Sequence, residues 1–253
     1  MWNAQLYGAY KKERSQPSAD LVNRIKDNDF KRILDVGCGS GMSTAALAAA
    51  FKNAEIIGAD LSENMLEAAK KTLPEIDFVQ RDCSKPLFDM GKFDLIFSNA
   101  FMQWLTNQEE FINNSFEMLN ENGVFAAQLP LSYLMPTSKC INEAKTVLPE
   151  RLRNAEVRKT VAFSANDYYD ILSKLSDDVN IWVTDYYHVM DSHENILNFI
   201  RGTALNPYTE KLDEIECERF LNKVLDNIKN AYAVQKNGKI LFPFKRLFIV
   251  AKK

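Results

Sequence analysis

The chain is short of glycine, histidine and cysteine, and it has no long apolar run. No stretch of about 18 apolar residues occurs, so a helical membrane span is not expected. The opening, MWNAQLYGAYKKER, lacks a basic start followed by an apolar segment, so no secretory leader is expected either. Two histidines, His188 and His193, leave few places for a histidine-based triad. The four cysteines, Cys38, Cys83, Cys140 and Cys217, stand far apart and form no C-x-x-C pair. Neither a disulfide framework nor a structural metal is expected from that spacing, and a reduced, cytoplasmic compartment follows as the default. An excess of one charge is also missing. The chain carries 31 basic and 34 acidic residues, for a net charge of −3, and no Lys/Arg run exceeds two. An electrostatic footprint for nucleic acid is therefore absent, and nothing points to a membrane surface.

What is present is concentrated. Only 9 of 253 residues are glycine, about half of average usage. Gly37, Gly39, Gly41 and Gly58 nevertheless fall within 22 residues. Around them, strand and helix signals alternate. Arg32–Val36, Glu55–Asp60, Asp77–Gln80, Phe93–Asn99 and Val124–Gln128 read as strands. Met42–Phe51, a segment from a Ser62 cap to about Thr72, and Glu109–Leu119 read as helices, with a turn at Asn122-Gly123. Such alternation gives βαβ units, hence an α/β fold with a parallel sheet covered on both faces. Further on, Lys139–Val147, Asp167–Ser176, Asn195–Arg201 and Asp213–Tyr232 read as helices. Val179–Val189 and Ile240–Val250 read as long strands. Pro243 predicts an edge position or a bulge in the last strand.

The segment Ile33-Leu34-Asp35-Val36-Gly37-Cys38-Gly39-Ser40-Gly41 follows the first strand and opens a helix. Glycines there let a ligand approach the backbone, and helix N-terminal amides face it. The spacing is G-x-G-x-G. A dinucleotide fingerprint needs glycine at position 42, which is Met42. A second acid, Asp60, ends the second strand, where a carboxylate accepts from both ribose hydroxyls of an adenosine. The bland alternative for that residue is a cap on the next helix. Asp82-Cys83 and Asn99-Ala100 follow the third and fourth strands, at the carboxyl edge where open α/β sheets bind ligands.

The pieces LDVGCGSG, IIGADLS, FVQRDCS and FDLIFSNA, within about residues 30–130, resemble the class I S-adenosylmethionine-dependent methyltransferases. The resemblance implies a Rossmann-like, seven-stranded, mostly parallel sheet with an antiparallel last strand. It also implies helices on both faces and helical elaborations over the active site. Asp35 and the loop glycines would serve the methionine end of S-adenosyl-L-methionine, and Asp60 the ribose. Asp82 and Cys83 would border the adenine. Tyr7, Leu61, Met65, Asn99, Ala100, Gln103 and Trp104 complete the implied cofactor site. Asn99 is followed by Ala100-Phe101-Met102, not by the Pro-Pro-Tyr/Phe of many nitrogen methyltransferases, which argues against a base or glutamine acceptor. One domain is expected over 1–253: a cap segment to 29, a cofactor core from 30 to 130, and substrate-side helices with the last two strands from 131.

Outside the core the sequence is similar to one branch of that class, the trans-aconitate methyltransferases, from end to end. The matching pieces include Trp2-Asn3, Leu6-Tyr7, Glu13-Arg14-Ser15, Met102-Gln103-Trp104-Leu105, Tyr168–Ser173, Tyr186–Met190 and Arg246–Ala251. The implied reaction esterifies one carboxylate of a small polycarboxylate. Such an acceptor is already ionised at neutral pH and needs no general base. An anion attacking a sulfonium destroys charge, so a dry pocket and correct positioning do the main work, and no catalytic side chain is expected. The remaining carboxylates need cationic or hydroxyl partners. The candidates are Arg14, Tyr187, His188, Arg201 and Arg246, with Tyr208 beside them. Of the adjacent Tyr186 and Tyr187 one is expected to pack in the core, for His188 the alternative is a structural histidine, and for Arg246 the strand alternation is ambiguous. One departure stands out: Asn206 occupies the place of a family arginine before Pro207, which bears on how many carboxylates are bound. Two other readings stay open: a related acid methyltransferase of the malonyl-thioester type, and a cofactor-binding protein without turnover.

Overall fold

The structure is a computed structural model, and residues 10–153, 161 and 163–253 are described. Seven strands form one sheet: β1 Arg32–Val36, β2 Glu55–Asp60, β3 Asp77–Gln80, β4 Phe93–Asn99, β5 Leu119–Pro130, β6 Asp178–Met190 and β7 Ile240–Lys252. Their order is β3-β2-β1-β4-β5-β7-β6. The pairs from β3 through β5 are parallel, and β7 runs antiparallel to β5. The order reverses beside β1, and the glycine loop leaves the sheet there, at the kind of switch point where open α/β sheets take ligands.

The α/β alternation is borne out, with small shifts at the ends of elements. The Asn122-Gly123 turn is a kink inside β5: Asn122 lies at φ +63°, and β5 reaches back to pair Leu119 with Phe93. Ser62 occupies the N-cap of the helix Glu63–Thr72, but its side chain makes no cap bond. Asp60 Oδ1 accepts from Ser62 N instead, at 2.9 Å. A further helix, α1 (Lys11–Ile25), runs through Pro17, the residue that obscured it in the sequence. An interior proline costs about 3 kcal/mol. Here it is offset by the burial of Leu21, Val22 and Ile25 on the same helix.

Pro243 does not lie in an edge strand, because β7 sits between β5 and β6. The reason it is tolerated is local. Pairing with β5 starts only at Arg246, and Lys245 O accepts from Leu131 N at 3.0 Å. Residues 243 and 245 share the β5 side of the strand. The missing N–H of Pro243 therefore falls where β5 has already ended.

Contacts divide the chain into two compact units. One comprises Arg14–Pro130, Val161–Thr184 and Arg246–Lys253; the other comprises Met1–Glu13, Leu131–Thr160 and Asp185–Lys245. In the first, Cys38, Leu66, Ala69 and Phe78 form a small core beneath the glycine loop. In the second, a larger core joins Cys140, Ile141, Phe199, Ile200, Phe220, Val224 and Phe242.

Candidate active site

Asp35 is the best-defined group. It is fully buried at the end of β1. Its Oδ2 accepts from Ser43 Oγ at 2.8 Å and Thr44 Oγ1 at 2.6 Å, both in the first turn of the helix Met42–Ala50. Its Oδ1 has no hydrogen-bond partner among the described residues. Burial pushes the carboxyl up to about 6, against the two hydroxyl bonds, and the nearby Asp60 charge adds to the rise. A buried carboxylate oxygen without a donor calls for a cationic or N–H ligand.

The loop after Asp35 is held by its backbone. Gly37 N and Cys38 N both donate to Ala59 O, at 2.8 and 3.1 Å. Gly37 lies at φ +71°, and a Cβ there would meet Phe101 Cγ at 2.3 Å. Gly39 lies at φ +53°, and no described residue comes within 4 Å of the place a Cβ would take. Gly41, at φ +84°, is the N-cap of the following helix. The loop thus packs tightly at Gly37 and opens over Gly39, a cradle that a ligand can fill.

Asp60 closes the loop. Its Oδ2 accepts from Gly39 N and its Oδ1 from Ser62 N, each at 2.9 Å. A carboxylate has about four lone-pair sites, so each oxygen keeps one for a ribose hydroxyl. Leu61, beside it, is 62% exposed, and Met65 is partly buried one helical turn on. Asp82 is partly exposed. It accepts from Ser84 N and Oγ and pairs with Lys85, and the Ser84 bonds first and then Lys85 hold its carboxyl below the usual range. The Cys83 thiol is buried and pushed up to about 12, mainly by burial, so it is not poised as a nucleophile.

At the end of β4, Asn99 Oδ1 accepts from Gln128 Nε2 at 2.6 Å. Ala100 turns the chain at φ +55°. Gln103 donates through Nε2 to Ala100 O at 2.6 Å, its Oε1 is buried without a partner among the described residues, and Trp104 is partly exposed beside it. Strand registers place Asp35 opposite Phe97, Asn99 opposite Gln128, and Pro130 opposite Arg246. With a side-chain period of two, Asp35, Asn99, Gln128 and Arg246 share one face of the sheet, near the carboxyl ends of its parallel strands.

The proposed acid-binding residues divide. Arg14, on α1, and Arg246, on β7, are buried at 8% and 7% exposure. Arg246 Nη1 donates to Gln128 Oε1 at 3.0 Å. His188 is buried among the rings of Tyr186, Phe199, Phe242 and Phe244. Of the paired tyrosines, Tyr186 is in the core and Tyr187 is exposed. Arg201 is exposed and Tyr208 is buried. Asn206 opens a short helix, and its Nδ2 reaches Gly202 O at 3.4 Å. Tyr7 lies outside the described residues. Three residues of the site went unread in the sequence. Ser43 and Thr44 signal themselves only as hydroxyls opening a helix just after the loop. Gln128 signals itself as the one polar residue in the run Val124–Leu129. Among the described residues, no cluster of histidine, cysteine, aspartate and glutamate could hold a metal ion, and no helix is long and apolar enough to cross a membrane.

The cradle fits an adenosyl cofactor: the Asp35 oxygen that no described residue meets suits a cationic group, Asp60 suits vicinal hydroxyls, and Gly39 leaves its backbone open to close approach. Comparisons with known proteins agree. A family model described as a methyltransferase domain matches residues 33–123. In solved structures the fold recurs in the YcgJ protein of Bacillus subtilis, with TM-score 0.63 and 16% identity over 94% of this chain and 98% of that one. It recurs also in an O-methyltransferase from a polyketide synthase multienzyme of Brevibacillus brevis, solved with S-adenosyl-L-homocysteine. There the TM-score is 0.52, with 14% identity over 95% of this chain and 72% of that one. Among curated proteins, the trans-aconitate 2-methyltransferase of Escherichia coli O139:H28 (strain E24377A / ETEC) is 38% identical over 252 residues, covering 100% of this chain and 98% of its own. The same-named protein of Escherichia coli strain K12 / DH10B is 37% identical over the same span. With that identity sustained from end to end, the chain belongs to the trans-aconitate 2-methyltransferase family.

Proposed function

We propose that this protein is an S-adenosylmethionine-dependent carboxyl O-methyltransferase that forms a monomethyl ester of trans-aconitate. The observation that carries the acid specificity is Arg246. It is a buried guanidinium on the same sheet face and at the same edge as Asp35 and Asn99. When bound, the cofactor supplies an electrophilic methyl group on a sulfonium. Everything else falls to the chain. Asp35 Oδ1 takes up a cationic part of the cofactor in a site closed to water. Asp60 accepts from the ribose hydroxyls and at the same time fixes the loop through Gly39 N. Leu61, Met65, Asp82, Cys83, Gln103 and Trp104 border the base and the rest of the nucleoside.

For the acid, Arg246 and Arg14 supply charge where water is largely excluded, so a carboxylate gains more from them than from surface cations. His188, Tyr187 and Arg201 are the further candidates for the carboxylates that do not react. No proton needs to be removed from the attacking oxygen, which agrees with the scarcity of histidine. The test is incubation of the protein with methyl-labelled cofactor and a panel of di- and tricarboxylates. A base-labile methyl ester on trans-aconitate is the expected product. Absence of ester from every acid rejects the assignment.

A further inference from the structure

Gln128 lies near the carboxyl end of β5 with 1% of its surface exposed. Both ends of its amide are engaged. Oε1 accepts from Arg246 Nη1, and Nε2 donates to Asn99 Oδ1. A guanidinium only donates, so the bond to Arg246 leaves the Gln128 amide one orientation. That orientation then fixes the next amide: Asn99 turns its oxygen to Gln128 and keeps its NH2 as a donor. The main chain repeats the link, since Gln128 O accepts from Ala100 N at 2.8 Å. Ala100 sits at a positive φ that few non-glycine residues adopt. One residue thus grips the turn that ends β4 and the cation carried by β7.

Packing alone does not ask for glutamine here. Its strand neighbours Phe125, Ala126, Ala127 and Leu129 are buried and apolar. An apolar side chain of similar volume fills such a place without the cost of burying an amide. What it cannot do is orient a guanidinium. Recognition of a carboxylate by arginine depends on the plane of the guanidinium, because two parallel N–H bonds are lost or kept together.

We propose that Gln128 is a positioning residue for the acid. It aims Arg246 at the substrate carboxylate and, through Asn99, ties that aim to the cofactor half of the site. The inference rests on the acid-binding role of Arg246 given above.

The experiment is a double-mutant cycle on Gln128→Met and Arg246→Ala. Initial rates are read with trans-aconitate, and calorimetry is read with S-adenosylhomocysteine. In the parent background, Gln128→Met is expected to raise KM for the acid at least about tenfold, the lower end for one lost bond to a charged group, and to weaken cofactor affinity by a smaller factor through the lost bond to Asn99. In the Arg246→Ala background, the same change is expected to move KM less than about twofold. Equal effects in the two backgrounds overturn the inference, since Gln128 then acts on the fold and not through Arg246. Gln128→Glu serves if the methionine variant does not fold. It keeps an acceptor on Arg246, but its own charge competes with the substrate, so KM is expected to rise further. An unchanged KM in that variant also overturns the inference. If the parent protein esterifies no acid at all, the functional reading falls and this inference with it. If the parent esterifies the acid and the cycle is additive, only the inference falls.

Discussion

At the residue scale, two carboxylates with different surroundings carry opposite expectations. Asp60 accepts from Gly39 N and Ser62 N and is placed for the ribose. Asp60→Ala is expected to weaken cofactor binding by about 1–3 kcal/mol, from hydrogen bonds to a charged acceptor. Unchanged affinity by titration calorimetry removes it from the ribose site. Asp35 is burdened by its own burial. Its folded value of about 6 lies above the ordinary 3.8. The stability tied to this group is therefore fully present below about 3.8 and is lost as pH rises through about 6 in the ligand-free protein. Asp35→Asn has no such loss. The melting temperature of the asparagine variant relative to the parent is expected to be more favourable at pH 8 than at pH 5. Melts of both ligand-free proteins at the two pH values check this, and an unvarying gap refutes it. With ligand bound, the ordering is expected to reverse, because the variant loses its charge for the cation.

At the element scale, the glycine loop separates fold from function within three residues. A Cβ on Gly37 collides with Phe101, and the backbone is at a positive φ, so Gly37→Ala is expected to cost stability of more than about 2 kcal/mol. Among the described residues nothing meets a Cβ on Gly39, so Gly39→Ala is expected to cost only the backbone strain of about 1 kcal/mol, while its methyl enters the cradle. Denaturant melts and cofactor titrations on the pair are expected to show one variant failing chiefly in stability and the other chiefly in binding. The same scale shows what the sequence made legible. Strand runs ending at a glycine or an acid revealed β1 and β2, and a nearly continuous apolar run revealed β4, because buried parallel strands need continuous apolar residues. Asp35 and Asp60 were legible as candidates because each puts a charge into an apolar strand run beside the glycines, and the capping alternative for Asp60 holds as well, since it accepts from Ser62 N. The helix through Pro17 was not, since local propensity opposed it and tertiary burial overrode it. Gln128 was hidden for a related reason: its role depends on Arg246, 118 residues away, through a register that no local pattern records.

At the scale of the whole molecule, a chain of net charge −3 is proposed to take up a polyanion. Bulk charge then opposes the substrate, and attraction must come from a few cations at close range. Raising salt from about 0.05 to 0.5 M shortens the screening length several-fold. Salt screens exposed Arg201 more than buried Arg14 and Arg246, so the rise in KM for the acid expected across that range, with kcat steady, comes from Arg201. Rates at fixed cofactor saturation check this; a salt-independent KM assigns the whole attraction to the buried pair. The register of β7 against β5 has a wider consequence. Side chains at 242, 244, 246 and 248 follow one another along a single side of the strand, and all but Arg246 are phenylalanine. Sliding that strand by two positions would exchange a cation for a benzyl group, and sliding it by one would carry the arginine to the far side of the sheet. The loop length upstream, between Tyr232 and Ile240, thus acts as a ruler: an enzyme of this architecture could trade a charged acceptor for a greasy one by insertion or deletion, without altering a single letter of the strand.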